Sequence, residues 1–343
     1  MSGGNEIDRL NRNIMMDVLR IIAMVMVLLV HIPIYIPLPY SFPNGQYGVA
    51  IFFVLSGYLI MESLEHTQSV KKFYQKRLIR ILPEYYIILI IGIIIWDKLF
   101  RQMPTDNLLH LGWLRYFLCL NTILPSNDYY YWNDLWGLWT ISCFMFFYLI
   151  APLLKKITSN YKRSIYMLLI SVVGCYGIKQ ILQSLLIKIN IPQAELLSGD
   201  TPFFNLMIFM IGISTWYAVK EKKESIYLML CIVVIAIMIF MEKSNRITWG
   251  LFAAAFIILG SKVQIKNEIF TKVIEKISAY SFTVYLVHFP VFQILGQMGM
   301  KNRTSVYYLS TAIVIIIFAA ILIHNIAEKV IIANINRLII RRS

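Results

Sequence analysis

The sequence predicts an all-α, polytopic bundle that crosses a membrane about ten times. Three observations carry this reading. Of 343 residues, 59% are hydrophobic and only 15% charged, whereas a soluble domain spends about a quarter of its residues on charge. The mean hydropathy is +0.67, and apolar runs long enough to cross a bilayer recur along the chain. The cations, finally, collect in alternate connecting segments. Spans are drawn at 17–37, 46–65, 82–98, 136–154, 164–187, 202–219, 225–241, 246–262, 278–297 and 305–331. The longest polar stretches, 65–80 and 261–276, are too short to bury a core, so 1–343 reads as one membrane domain.

The first element follows a polar leader, MSGGNEIDRLNRN. A signal peptide has a shorter apolar region and a small-residue cleavage site. Here the run ends in HIPIYIPLPYSFP and reads as a retained first helix. With the N-terminus inside, 23 of the 32 cations are assigned to inner segments and 8 to outer ones, leaving Lys179 well inside a span. The inner set runs from Arg9 and Arg12 through Lys155, Lys156, Lys220, Lys222 and Lys223 to Lys266, Arg337, Arg341 and Arg342. This split places both termini in the cytoplasm of a multi-pass cell-membrane protein. It also makes the net charge of +14 a matter of topology, not a nucleic-acid footprint. One apolar segment, LLHLGWLRYFLCLNTILP (108–125), would invert every later loop if it crossed. It reads as interfacial or re-entrant, with Trp, Tyr and Arg suited to an interface. Cys119, Cys143, Cys175 and Cys231 lack paired spacing and read as buried packing residues. No metal-ligand set is assigned.

Chemistry is concentrated in a few stretches. In the first helix Arg20 and His31 are separated by ten uncharged residues. Eleven steps of 100° return to within about 20° of three full turns and advance about 16 Å, so both residues share one face. Asp17 stands one helical offset before Arg20 and can pair with it. Ionisable groups at this depth usually face a cavity or a partner. The plainer alternatives are a snorkelling anchor for Arg20 and an interfacial histidine for His31. GVAIFFVLSGYLI (48–60) offers Gly48, Ser56 and Gly57 for close helix approach, with Ser56 able to hydrogen-bond across an interface. In KKFYQKRLIRILPEYY (71–86), Arg77 and Arg80 put two guanidinium forks on one side of a turn. That arrangement suits phosphate, although an ordinary basic inner loop would read the same way.

Taken together, Arg-x10-His, FFVLSGYL and RLIRILPEYY resemble the acyltransferase-3 family of integral-membrane acyltransferases. ISAYSFTVYLVHFPVF (277–292) and LWTISCFMFFYLIAPLLKK (138–156) resemble two further patterns of that family, and the likeness runs in order over nearly the whole chain. One departure is Phe144, where many members carry a glutamate. The resemblance implies transfer of an acyl group, commonly acetyl, from cytoplasmic acyl-CoA to a hydroxyl of an envelope or secreted carbohydrate. The acceptor would be a glycan or lipid-linked sugar, with polysaccharide-assembly proteins as partners. On this reading His31 is the general base, its unperturbed pKa of about 6.5 lying near working pH, or else carries the acyl group covalently. Arg20, Arg77 and Arg80 bind the donor, and Asp17 holds Arg20. Ser56, Tyr85, Trp139, Ser142 and His288 line or support the pocket. A transporter of a sugar or small anion is the competing class, although no matched halves with paired broken helices are visible.

Overall fold

The structure is a computed structural model. It describes residues 14–35, 42–67, 69–95, 112–123, 137–188, 190, 198–242, 245–263, 265, 267–299 and 306–333. Arg9, Arg12, Lys266, Arg337, Arg341 and Arg342 of the inner charge set, and residues 108–111 and 124–125 of the ambiguous segment, lie outside them. All regular structure among the described residues is helical: α1 Ile14–Tyr35, a 3-10 turn Pro43–Tyr47, α2 Gly48–His66, α3 Val70–Ile95, α4 Gly112–Phe117, α5 Trp139–Thr158 and α6 Tyr161–Lys188. These are followed by α7 Pro202–Lys220, α8 Glu224–Phe240, α9 Arg246–Gly260, α10 Glu268–Gln297 and α11 Val306–Ile326, which runs into a π turn at Ala327–Ile332.

Each of the ten drawn spans overlaps one of these helices, and among the described residues seven helices are long and apolar enough to cross a membrane. The chain is a multi-pass membrane protein. Two of the other helices, α8 with 17 residues and α9 with 15, are apolar but shorter. The third, α3, has 26 residues but carries its cations in the first half. The six-residue α4 rises only about 9 Å, far short of a bilayer, and turns follow it through residue 123. Tyr116, Cys119, Asn121 and Thr122 there are buried, so the segment is tucked into the bundle. All four cysteines are buried and unpaired.

Local chemistry sets the helix starts. Thr201 Oγ1 accepts from the Phe204 N–H at 3.3 Å, with Pro202 opening α7. Asn245 Oδ1 accepts from Ile247 and Thr248 at 2.9 and 3.2 Å, and Asn267 Oδ1 accepts from Phe270 at 3.0 Å. Each side chain satisfies N–H groups that a helix N-terminus leaves without partners.

Buried α7 forms the centre, packed on α2 and α6, while α6 and α11 turn mostly apolar surface outward. Two contacts fix the ends. Glu65, near the end of α2, pairs with Lys155 of α5 at 2.9 Å and Lys220 of α7 at 2.6 Å, so three helix ends meet where the lysines gather. At the opposite end Arg246 pairs with Asp200 at 2.8 Å and donates to Asn205 Oδ1 at 2.9 Å. The predicted close approach at Gly57 is present, and its partner is Gly212. A Cβ on Gly57 would overlap the Phe209 carbonyl oxygen, and one on Gly212 the Val54 carbonyl oxygen. Gly212→Ala is therefore expected to destabilise the purified protein by about 1–3 kcal/mol or more through overpacking. Gly174→Ala, whose Cβ meets nothing within 4 Å, serves as the control. Equal melting temperatures for the two variants would refute the close α2–α7 contact.

Candidate active site

A cavity of about 1040 Å³ lies among α2, α3, α5, α10 and α11. At one end its lining is cationic and exposed, with Lys72, Lys76 and Arg80; at the other Thr140 and Tyr285 are buried. Arg20, Ser56, Arg77 and Arg80 of the expected site residues all line it. Phe144, at the position of the missing glutamate, lines it too.

The two arginines of α3 have different tasks. Arg80 is exposed at the opening and makes no ion pair among the described residues. Arg77 is half-buried, donates to the Leu59 carbonyl of α2 at 3.0 Å and lies 5.7 Å from the ring centroids of both Phe73 and Tyr148. Part of its fork is thus committed to holding α3 on α2, and donors remain for the cavity.

On α1 the expected Asp17–Arg20 pair forms at 2.6 Å. The same carboxylate oxygen accepts from Ser278 Oγ of α10 at 2.6 Å. At the far end of α1, His31 faces His288 of α10, with Nδ1 of the first 3.2 Å from Nε2 of the second. Each histidine stands two residues before a proline, in His31-Ile32-Pro33 and His288-Phe289-Pro290, and each turns Nδ1 onto its own helix. The acceptors are the Val27 carbonyl at 2.8 Å and the Tyr285 carbonyl at 2.5 Å. A carbonyl only accepts, so both Nδ1 atoms carry the proton in the neutral rings. His288 Nε2 then offers a lone pair to His31 Nδ1–H, and His31 Nε2 keeps its own lone pair free for chemistry. His288 is buried and His31 partly exposed. The Tyr285 ring, which lines the cavity, lies 5.6 Å from that of His288.

His31 and His288 are not among the residues that line the cavity, and three further expected pocket residues sit elsewhere. Tyr85 donates its hydroxyl to the Tyr116 carbonyl, and Ser142 Oγ donates to the Cys119 carbonyl at 2.8 Å. Both therefore anchor the α4 segment and do not line the cavity. Trp139 lies under Arg246, with the guanidinium 5.4 Å from its ring, at the end opposite the lysines. The sequence reading also passed over a cluster that does line the cavity. Glu84 accepts from Thr283 Oγ1 at 2.7 Å and meets His324 Nδ1 at 2.7 Å, with the Tyr280 ring 4.8 Å from the imidazole. A carboxylate just after Pro83 and a histidine in apolar α11 were the available signals.

Asp17 is fully buried, while Arg20 is partly exposed. Removing one partner of such a pair strands the other charge, at a cost of about 3–5 kcal/mol. Arg20→Ala is expected to lower stability by that order, and adding Asp17→Asn to recover part of it. A double variant less stable than Arg20→Ala alone would contradict the pairing.

A family model described as an acyltransferase domain matches residues 13–324. Over 205 residues the chain is 27% identical to the peptidoglycan O-acetyltransferase OatA of Listeria monocytogenes, covering 56% of this chain and 32% of that protein. Over 128 residues it is 29% identical to nodulation protein 10 of Rhizobium leguminosarum bv. viciae, covering 34% and 35%. The matched segments span about a third of each relative's length. No solved structure matches. With its family model covering nearly the whole described chain and the same helices that build the cavity, this protein belongs to the acyltransferase-3 family.

Proposed function

We propose that the chain is a membrane O-acyltransferase, moving an acetyl group from cytoplasmic acetyl-CoA to a hydroxyl of an envelope or secreted carbohydrate. The observation that carries this reading is a cation-mouthed cavity leading to Tyr285, behind which His31 keeps a free Nε2 lone pair. That the Listeria relative is a peptidoglycan O-acetyltransferase supports the acyl group and the acceptor class.

Coenzyme A is anionic at its nucleotide end and carries its thioester on a thin, neutral arm. Arg80, with the free donors of Arg77 and the nearby Lys72 and Lys76, would hold phosphate at the opening. The arm would run inward past Arg20. His31 Nε2 takes the acceptor's hydroxyl proton as the oxygen attacks the thioester carbonyl. Collapse of the tetrahedral intermediate breaks the C–S bond, and the leaving thiolate receives the proton from His31. His288 fixes the His31 ring in the tautomer that this step needs. The positive-inside distribution supports a cytoplasmic lysine-rich end and, with it, a cytoplasmic donor.

Loss of the base costs about 10²–10⁴-fold in rate. His31→Gln, which keeps size and polarity but is not basic, is therefore expected to be as inactive as His31→Ala while still binding acetyl-CoA. Normal acetyl transfer by the Gln variant at equal membrane abundance would remove His31 from the chemistry. At the mouth, Arg80→Ala is expected to raise the KM for acetyl-CoA with little loss of stability. Arg77→Ala should do both, because it also loses the Leu59 contact. Unchanged donor KM in both variants would place the phosphates elsewhere.

A further inference from the structure

Lys179 is a cation within a span that the charge topology leaves over. It stands 18 residues into α6, about 27 Å from that helix's lysine-rich end. It borders a second cavity, of about 670 Å³, at the end of the bundle opposite the donor opening. Gln46 and Tyr47 of the 3-10 turn, Tyr176, Phe204, Asn245 and Arg246 share its lining. Adjacent Gly45 packs so closely on α1 that a Cβ there would overlap the Met26 carbonyl oxygen and crowd Val30, the residue before His31. The cavity therefore shares the His31 end of the bundle.

Its two cations differ. Arg246 is neutralised by Asp200 at 2.8 Å and further held by Asn205 at 2.9 Å. Lys179 Nζ lies 5.0 Å from the centroid of the Phe204 ring and meets no carboxylate among the described residues. An ammonium at this depth without a counter-ion is costly, and such residues commonly face a ligand path. The remaining wall has the character of a sugar site. Tyr47 is backed by Trp249, their rings 20° from parallel, and Tyr176 meets Phe204 edge-on, so the aromatic positions are set. Gln46 offers an amide to hydroxyl groups. So does Asn245, whose Oδ1 caps α9 but whose amide N–H groups are not used by the cap.

We propose that this outer cavity binds the acceptor carbohydrate through an anionic sugar unit, with Lys179 pairing to its carboxylate or phosphate. The proposal rests on the acyl-transfer reading for its place in the reaction, and its test separates the two. Full-length protein is reconstituted in nanodiscs of neutral lipid and titrated with methyl β-D-glucuronide and methyl β-D-glucoside, read by saturation-transfer NMR. The wild type is expected to bind the uronide about 10-fold more tightly, the size of one hydrogen bond to a charged group. Lys179→Met should bring that ratio to about one, Lys179→Arg should keep it, and so should Lys188→Met, an exposed cation on the same helix. Equal binding of both glycosides by the wild type, or an unchanged ratio in Lys179→Met, overturns the proposal. Loss of the uronide preference on adding phosphatidylglycerol also overturns it, by assigning Lys179 to a lipid phosphate. Uronide binding that depends on Lys179 without any acetyl transfer to glycan would refute the acyl-transfer reading and leave the site standing. Transfer that ignores Lys179 would do the reverse.

Discussion

The seam between α1 and α10 is the constraint on which the site depends. These helices lie far apart in sequence yet touch at two levels, Asp17 with Ser278 and His31 with His288. The order of the contacts makes the helices parallel. Asp17 has no exposure, so rotating α1 about its axis would strand a carboxylate away from both Arg20 and Ser278, which a low-dielectric interior resists strongly. That penalty fixes which face of α1 looks into the bundle. Arg20 is thereby brought to the cavity and His31 to His288, because an eleven-residue spacing returns to the same face. The positions of one catalytic candidate and one cavity cation follow from a single buried charge.

The chain's two polar ends make different use of charge. Where α2, α5 and α7 end, Glu65 ties two lysines together, and the remaining cations are exposed around the opening. At the other end charge is sparse: Arg246 is spent on Asp200, and Lys179 meets an aromatic ring. The histidine pair belongs to that second end. In the proposed reaction this separation would keep the group that activates a hydroxyl away from the donor's phosphates, which would draw protons onto it.

What the sequence made legible is what one helix can state about itself. Helical periodicity alone gives the shared face of Arg20 and His31 and the Asp17–Arg20 pair, and residue size gives the close approach at Gly57. Contacts between elements were not legible. Asp17 with Ser278, and His31 with His288, join positions more than 250 residues apart, and Glu84 with Thr283 and His324 spans three helices. Tyr85 and Ser142 read as pocket residues only through the family resemblance, standing in two of the stretches that carry it. Their partners are the backbone carbonyls of Tyr116 and Cys119, and a carbonyl has no signature in a sequence. Arg77 reads from sequence as an anion site or an ordinary loop cation for the same reason, its tie to the Leu59 carbonyl being invisible.

Phe144 removes a carboxylate from the cavity wall, yet Glu62, Glu84 and Glu328 line the same space. Two of these acids are occupied. Glu84 uses one oxygen on Thr283 and the other on His324, and Glu62 accepts from Trp216 Nε1 at 2.6 Å and meets His66 at 3.0 Å. Deeper in, Arg20 is already matched by Asp17. Among the described lining residues the unpaired charge lies at the exposed end, where Lys76 and Arg80 outnumber Glu328, while the interior is locally neutralised. Attraction for an anion is strongest at the opening and falls off inward. On the proposed reading such a gradient would hold the donor by its charged end and leave its neutral arm free to slide toward Tyr285. A cavity lined evenly with unpaired arginines would instead draw the phosphates inward and block the path of the acyl group.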